Sequence, residues 1–192
     1  MLLIINKSSD SSSLNANPMR SPYPDALPVT RRVLKILIRL NQLMGVGILA
    51  LLVASLAAEG FVMRALGAGP AGRNHGLVVG MRLVMVIGIA AVPVTHVVLA
   101  RLLAIVETVA GGDPFVTENA ARLKTIAWAV LGLEVLHLAV GAVAAVVSTA
   151  QAPLDLGWGF SVTRWLAVLL LFVLARVFEQ GSHMREDLAG TV

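Results

Sequence analysis

"KTIAWAVLGLEVLHLAVGAVAAVV", residues 124–147, carries ionisable side chains at Lys124, Glu134 and His137 alone. Its apolar residues do not alternate with the period of two that a barrel strand would show. They also run past the roughly 20 positions that a helix needs to cross about 30 Å of hydrocarbon. No water is available at that depth to satisfy a backbone, so the stretch reads as a transmembrane helix. Working outward, comparable runs lie at about 37–58, 78–104 and 161–178. The expected fold class is therefore an all-α integral membrane protein with four transmembrane helices. These form a four-helix bundle over 31–192, behind an unstructured Ser/Pro-rich tail at 1–30. The fourth run is the weakest, with eleven uncharged residues between Arg164 and Arg176. Both arginines are expected to reach towards opposite interfaces.

Composition agrees. The chain of 192 residues is 57% hydrophobic and 14% charged, with a mean hydropathy of +0.84. Soluble domains carry roughly 25% charged residues. The absence of cysteine excludes disulfides, thiolate catalysis and cysteine-ligated metal. A net charge of +4 would raise nucleic-acid binding in a soluble chain. Here topology explains it better, and no direct nucleic-acid contact is expected. The five apolar residues before Asn6 are too few for the hydrophobic core of a signal peptide.

The cations set an orientation. Arg20, Arg31, Arg32, Lys35 and Arg39 precede or open the first span, while Arg101, Arg122 and Lys124 flank the middle loop. Arg176 lies at the C-terminal end of the fourth run and Arg185 beyond it, and the alternate loops hold few cations. The positive-inside rule puts both termini and the middle loop in the cytoplasm. Arg31, Lys35 and Arg39, four apart, form one stripe that anchors the first helix, contacts anionic lipid or offers a docking face to a partner.

Ionisable groups inside hydrocarbon are the first candidates for function. Glu134 lies ten residues beyond Lys124, about 15 Å deep at 1.5 Å per residue. His137 follows on the same face, and His96 lies just after Pro93, which should kink the second helix and free a backbone carbonyl. Matching Arg101 with Lys124 across the hairpin puts His96 about 7 Å from Glu134 in depth. A buried pair of Glu134 with His96 or His137 is expected, as packing glue first and as a proton relay second. The spacing Glu134-x-x-His137 is that of carboxylate di-iron bundles, but its further ligands are missing. His96 and His137 differ by roughly 12 Å in depth, too far for one haem. No cofactor, no metal and no catalytic constellation is expected.

The middle loop, "GGDPFVTENAARLK" (residues 111–124), reads as a capped connection. Gly111 and Gly112 end the second helix, Asp113 and Pro114 form a turn, and Phe115 returns to the bundle end. Thr117 caps the third helix with Glu118 in its first turn. Asn119, Arg122 and Lys124 are expected to be exposed. The fourth helix is expected to stop at Gly181.

The strings G-D-P-F-V-x-x-N-A-x-R-L and V-F-E-Q-G-x-x-x-R-E-D-L-x-G-T-V, with four spans, resemble an uncharacterised bacterial membrane-protein family, domain of unknown function twenty-nine seventy-five. The likeness covers about residues 33 to 192. Met184 and Ala189 stand where similar proteins often carry leucine and glutamate. The family has no established activity. The resemblance implies a small inner-membrane protein, often encoded beside a short helix-turn-helix regulator. The motif positions are Gly112, Asp113, Pro114, Phe115, Asn119, Arg122 and Leu123, then Arg185, Glu186, Asp187 and Leu188.

Three functional expectations follow. The first is an interaction component whose face, formed by Asp113, Pro114, Phe115, Asn119, Arg122, Arg185, Glu186 and Asp187, docks a cytoplasmic partner such as that regulator. Alternatively, the same loop and tail close the bundle end on each other. The second is an oligomeric small permease or immunity-type protein using Glu134, His137, His96 and Arg82. The third is an accessory subunit of a larger membrane complex, packing through Gly132, Gly141 and Ala144 or through Gly45 and Gly47.

Overall fold

The computed structural model describes residues 26–57, 60, 75–112, 116–147 and 161–189. Among these the chain is all-helical, without strands. Helix α1 spans Ala26–Ala57, α2 His75–Ala110, α3 Thr117–Val147 and α4 Val162–Ala189. Three of them are long and apolar enough to cross a membrane, over Leu27–Ala57, Val78–Ala110 and Thr117–Val147. Helix α4 is not among these.

Every helix overruns its apolar stretch, because the flanking Arg, Leu, Glu and Ala residues are themselves good helix formers. Residues 26–30, expected in the tail, belong to α1. Pro28 is tolerated there because first-turn N–H groups have no helical acceptor in any case. The rest of the tail lies outside the described residues. Helix α4 does not stop at Gly181 but continues to Ala189. The Ser182 hydroxyl donates to the Glu179 carbonyl at 2.9 Å, and a glycine inside a helix costs only about 1 kcal/mol against alanine.

The helices pack in chain order only. α1 lies against α2, α2 against α3 and α3 against α4, while no other pair approaches within 8 Å between Cα atoms. Among the described residues this is a row of helices and not the closed four-helix bundle that the sequence suggests. A closed bundle needs α1 to meet α4, and nothing in the apolar pattern compels that contact, since lipid covers an apolar face as well as another helix does. Most of the buried apolar residues lie on the two central helices, among them Leu123, Ile126, Ala127, Val140 and Ala144 on α3. Outside, Leu43, Val46, Leu169 and Leu170 are more than half exposed, a surface that water would not tolerate and lipid would.

Two contacts set the spacing of the row. A Cβ built on Gly45 would meet Val92 Cγ1 at 2.9 Å, and one on Gly80 would meet Val147 Cγ2 at 2.6 Å. Gly47 and Gly132 have nothing within 4 Å, so only Gly45 of the three is a close-approach glycine within the chain. Gly80→Ala should lower stability by about 1–3 kcal/mol, the cost of overpacking. Gly47→Ala should leave stability unchanged or raise it by up to about 1 kcal/mol. Thermal unfolding in detergent of the two variants side by side would check this.

Helix α2 runs through Pro93 without a break. Asn41, buried on α1, donates its Nδ2 to the Val92 carbonyl at 3.0 Å. Near the other end of α1, Arg82 Nη2 donates to the Ser55 carbonyl at 2.6 Å and Nε to the Ser55 hydroxyl at 3.2 Å. Ser55 is among the last residues of α1, where carbonyls lack helical partners. Arg82 therefore ties the end of α1 to α2.

Candidate functional site

Two polar clusters occupy the α2–α3 and α3–α4 seams. The first lies where α2 turns into α3. Gly111 and Gly112 end α2 as expected. The Gly111 amide bonds the Glu107 and Thr108 carbonyls at 3.1 Å each, and Gly112 adopts a left-handed φ of +89° that favours glycine. Helix α3 begins at Thr117.

One turn into α3, Asn119 is 0% exposed. Its Nδ2 donates to Thr108 Oγ1 at 2.8 Å, and that hydroxyl can pass its own proton to the Ile105 carbonyl at 2.8 Å. On the other side Arg122 Nη1 donates to Asn119 Oδ1 at 2.8 Å and approaches the Ala104 carbonyl at 3.4 Å. Guanidinium, amide, hydroxyl and carbonyl thus form one directed chain across the hairpin, with each donor assigned from the donor inventory. Asn119 and Arg122 are therefore not exposed as expected: Asn119 is buried and Arg122 half-buried. Asn119 shares an inward stripe with Leu123, Ile126 and Ala127, all buried, and that stripe faces α2. Lys124 is exposed as expected. Asp113, Pro114 and Phe115 lie outside the described residues. Arg185, Glu186 and Asp187 belong to the last turns of α4.

The hairpin contacts fix a register. Thr108 meets Asn119, Arg122 meets the Ala104 carbonyl, and Gly80 meets Val147. Arg101 then lies beside Thr125, one residue from its expected match with Lys124. The α1–α2 contacts bring Lys35 to the same level, and the groove shared by Lys124 and Arg176 brings in α4. Lys35, Arg101, Lys124 and Arg176 are all exposed. From Arg101 to Arg82 is nineteen residues, about 28 Å of helix, close to the hydrocarbon thickness.

The second cluster lies about halfway along that length. Arg164 Nε is 3.6 Å from Glu134 Oε2, with side-chain exposures of 35% and 14%. Arg164 Nη1 lies 2.6 Å from His137 Nε2. Arginine only donates, so His137 Nε2 must accept and carry its proton on Nδ1. Neither expected pair, Glu134 with His96 or Glu134 with His137, forms directly, and Glu134 and His137 instead converge on a cation from the next helix. A charged guanidinium is a stronger partner for a carboxylate than a neutral imidazole. Arg164 accordingly does not turn away to an interface but inward along the α3–α4 seam. His96 is half-buried on α2, and its Nδ1 is buried without a hydrogen-bond partner.

The sequence reading missed Thr108, Asn41 and the inward role of Arg164. Thr108 had a signal: it lies one turn before the glycine cap, at hairpin register with Asn119. Among the described residues no three His, Cys, Asp or Glu side chains converge as metal ligands. The first cluster can hold a hairpin rigid, and the second can hold charge in an apolar seam.

A sequence model of one family, described as protein of unknown function (DUF2975), matches residues 70–192. The match takes in α2, α3 and α4 and leaves α1 outside, a shorter reach than the expected 33 to 192. No curated protein matches the chain, nor does any solved structure.

Proposed function

The chain belongs to the DUF2975 family of unknown function, and we propose that it is a four-helix integral membrane protein acting as an interaction component with a docking face at its basic end. In this reading α4 enters the membrane beside α3, and both termini are cytoplasmic. The exposed cations Lys35, Arg101, Lys124 and Arg176 at one level support that orientation. An inner-membrane location is what the family resemblance implies.

One observation carries the docking reading: α4 stays helical to Ala189. His183 and Thr117 line one groove, so the turns bearing Arg185, Glu186 and Asp187 extend past the start of α3, at the same end as the α2–α3 turn. A partner such as a small helix-turn-helix regulator would meet this end. Asn119 and Arg122 are already engaged inside the hairpin, so they stiffen the face and do not contact the partner. Arg185, Glu186, Asp187, Asp113 and Phe115 are left as the contact residues.

Co-purification of the tagged chain from its own host in mild detergent tests this. The expected result is a small soluble DNA-binding protein, recovered at least 10-fold less with Asp113→Lys or Arg185→Glu while the variant stays inserted. Recovery of the chain alone would end the docking reading. A second reading, an oligomer or a subunit of a larger membrane complex, is favoured by the row of helices, whose α1 and α4 flanks meet no other described helix. Recovery of integral membrane proteins or of a second, differently tagged copy would support it. Loss of activity with Glu134→Gln, docking substitutions being silent, would favour transport.

A further inference from the structure

One stripe of α4 lines the whole α3–α4 seam. Phe172, Arg176, Glu179 and His183 on α4 and Thr117 and Lys124 on α3 surround a groove of about 370 Å³ at the basic end. Val162, Trp165, Leu166, Leu169 and Phe172 on α4, with Leu131 on α3, surround a second of about 370 Å³ further along. Phe172 borders both, and its ring meets Trp128 edge-on at 5.3 Å. The α4 residues of both sets recur every three or four positions, so the two grooves open along one helix face. They form a single track, polar and basic at one end and apolar for the rest.

The charge at the polar end is lopsided. Lys124 and Arg176 are cations, and the single carboxylate, Glu179, bonds Arg176 at 2.9 Å. This leaves a formal surplus of one positive charge before His183 is counted. The N-terminus of α3 at Thr117 adds its positive helix-dipole end to the same groove. The apolar end has the opposite character, lined by aliphatic and aromatic side chains with no charged one among them. From Arg176 to Leu166 is ten residues, about 15 Å of helix, or half of a hydrocarbon core of about 30 Å. A free anion would use only the polar end. A cytoplasmic peptide would have to leave the track where it enters hydrocarbon.

We propose that the α3–α4 seam binds one anionic phospholipid, its phosphate between Lys124 and Arg176 and an acyl chain lying along Phe172, Leu169 and Leu166. The inference rests on the membrane placement of α4 proposed above and not on any protein partner. The lipid covers a seam that ends near Arg164, so it also shields the Glu134–Arg164 pair from the side.

The test uses the full chain in detergent and in lipid nanodiscs, with phosphatidylglycerol, phosphatidylcholine or inorganic phosphate as probes. Native mass spectrometry should show one phosphatidylglycerol retained at least 10-fold more than phosphatidylcholine. Lys124→Glu with Arg176→Glu should abolish that preference. Leu169→Trp, which fills the apolar groove and leaves the cations in place, should also lose the lipid. Equal retention of both lipids, or retention that survives the charge reversals, would overturn the site. Equal thermal protection by inorganic phosphate would overturn the lipid in favour of a free anion. Protection of a single cysteine placed at Leu170, in a chain that has none, from a membrane-impermeant maleimide separates loss of the site from failure of the membrane placement of α4.

Discussion

Arg164→Leu is expected to destabilise the protein by about 3 kcal/mol, the low end for breaking a buried ion pair, because the Arg164 side chain is itself 35% exposed. The loss comes from what remains. Glu134, with 14% of its side chain exposed, would keep its carboxylate in an apolar seam without a counter-charge, and His137 Nε2 would lose its 2.6 Å donor. Glu134→Leu alone should cost less, since the guanidinium retains His137. The double replacement Glu134→Leu with Arg164→Leu should recover most of the stability, because matched apolar side chains replace a buried pair at little cost. Thermal unfolding of the four proteins in one detergent closes the cycle. A coupling of about 1 kcal/mol or more is expected, and strict additivity would mean that the two side chains do not act on each other. Arg164→Lys should fall between, keeping the charge and losing the fork that reaches two partners.

The same cluster separates what the sequence carries from what it does not. Glu134 and His137 are legible because ionisable groups deep in an apolar run are rare and are paired when present. Their partner is not legible. Arg164 lies 27 residues from His137, and its distance from Arg176 suggests an arginine reaching for an interface. Only the start of α4 at Val162, level with the middle of α3, turns it inward. The hairpin register is readable to within a residue, since Arg101 and Lys124 mark one boundary on two connected helices. Whether the helices close into a bundle or stay in a row is not readable, because lipid covers an apolar face as well as another helix does. Asn119 illustrates a signal passed over. Polarity near a turn suggests exposure, yet its spacing of four and seven from Leu123 and Ile126 places it on the buried stripe.

That burial sets the second large effect. Asn119→Leu, close in volume, is expected to cost about 2–4 kcal/mol, because it strips partners from two half-buried groups together. Arg122 would keep only the 3.4 Å approach to the Ala104 carbonyl, and Thr108 would lose the 2.8 Å amide donor. Asn119→Asp should be milder, since a carboxylate still accepts from Arg122 and the Thr108 hydroxyl can rotate to donate to it. If the three residues form a clamp, Asn119→Leu lowers the thermal midpoint and speeds proteolysis in the α2–α3 turn, and Arg122→Met does the same to a smaller degree. If they instead read a partner, the midpoint and the cleavage rate stay at the parent values while partner recovery falls. A side chain with no exposed surface cannot reach a partner without first opening the hairpin, so the first outcome is the expected one.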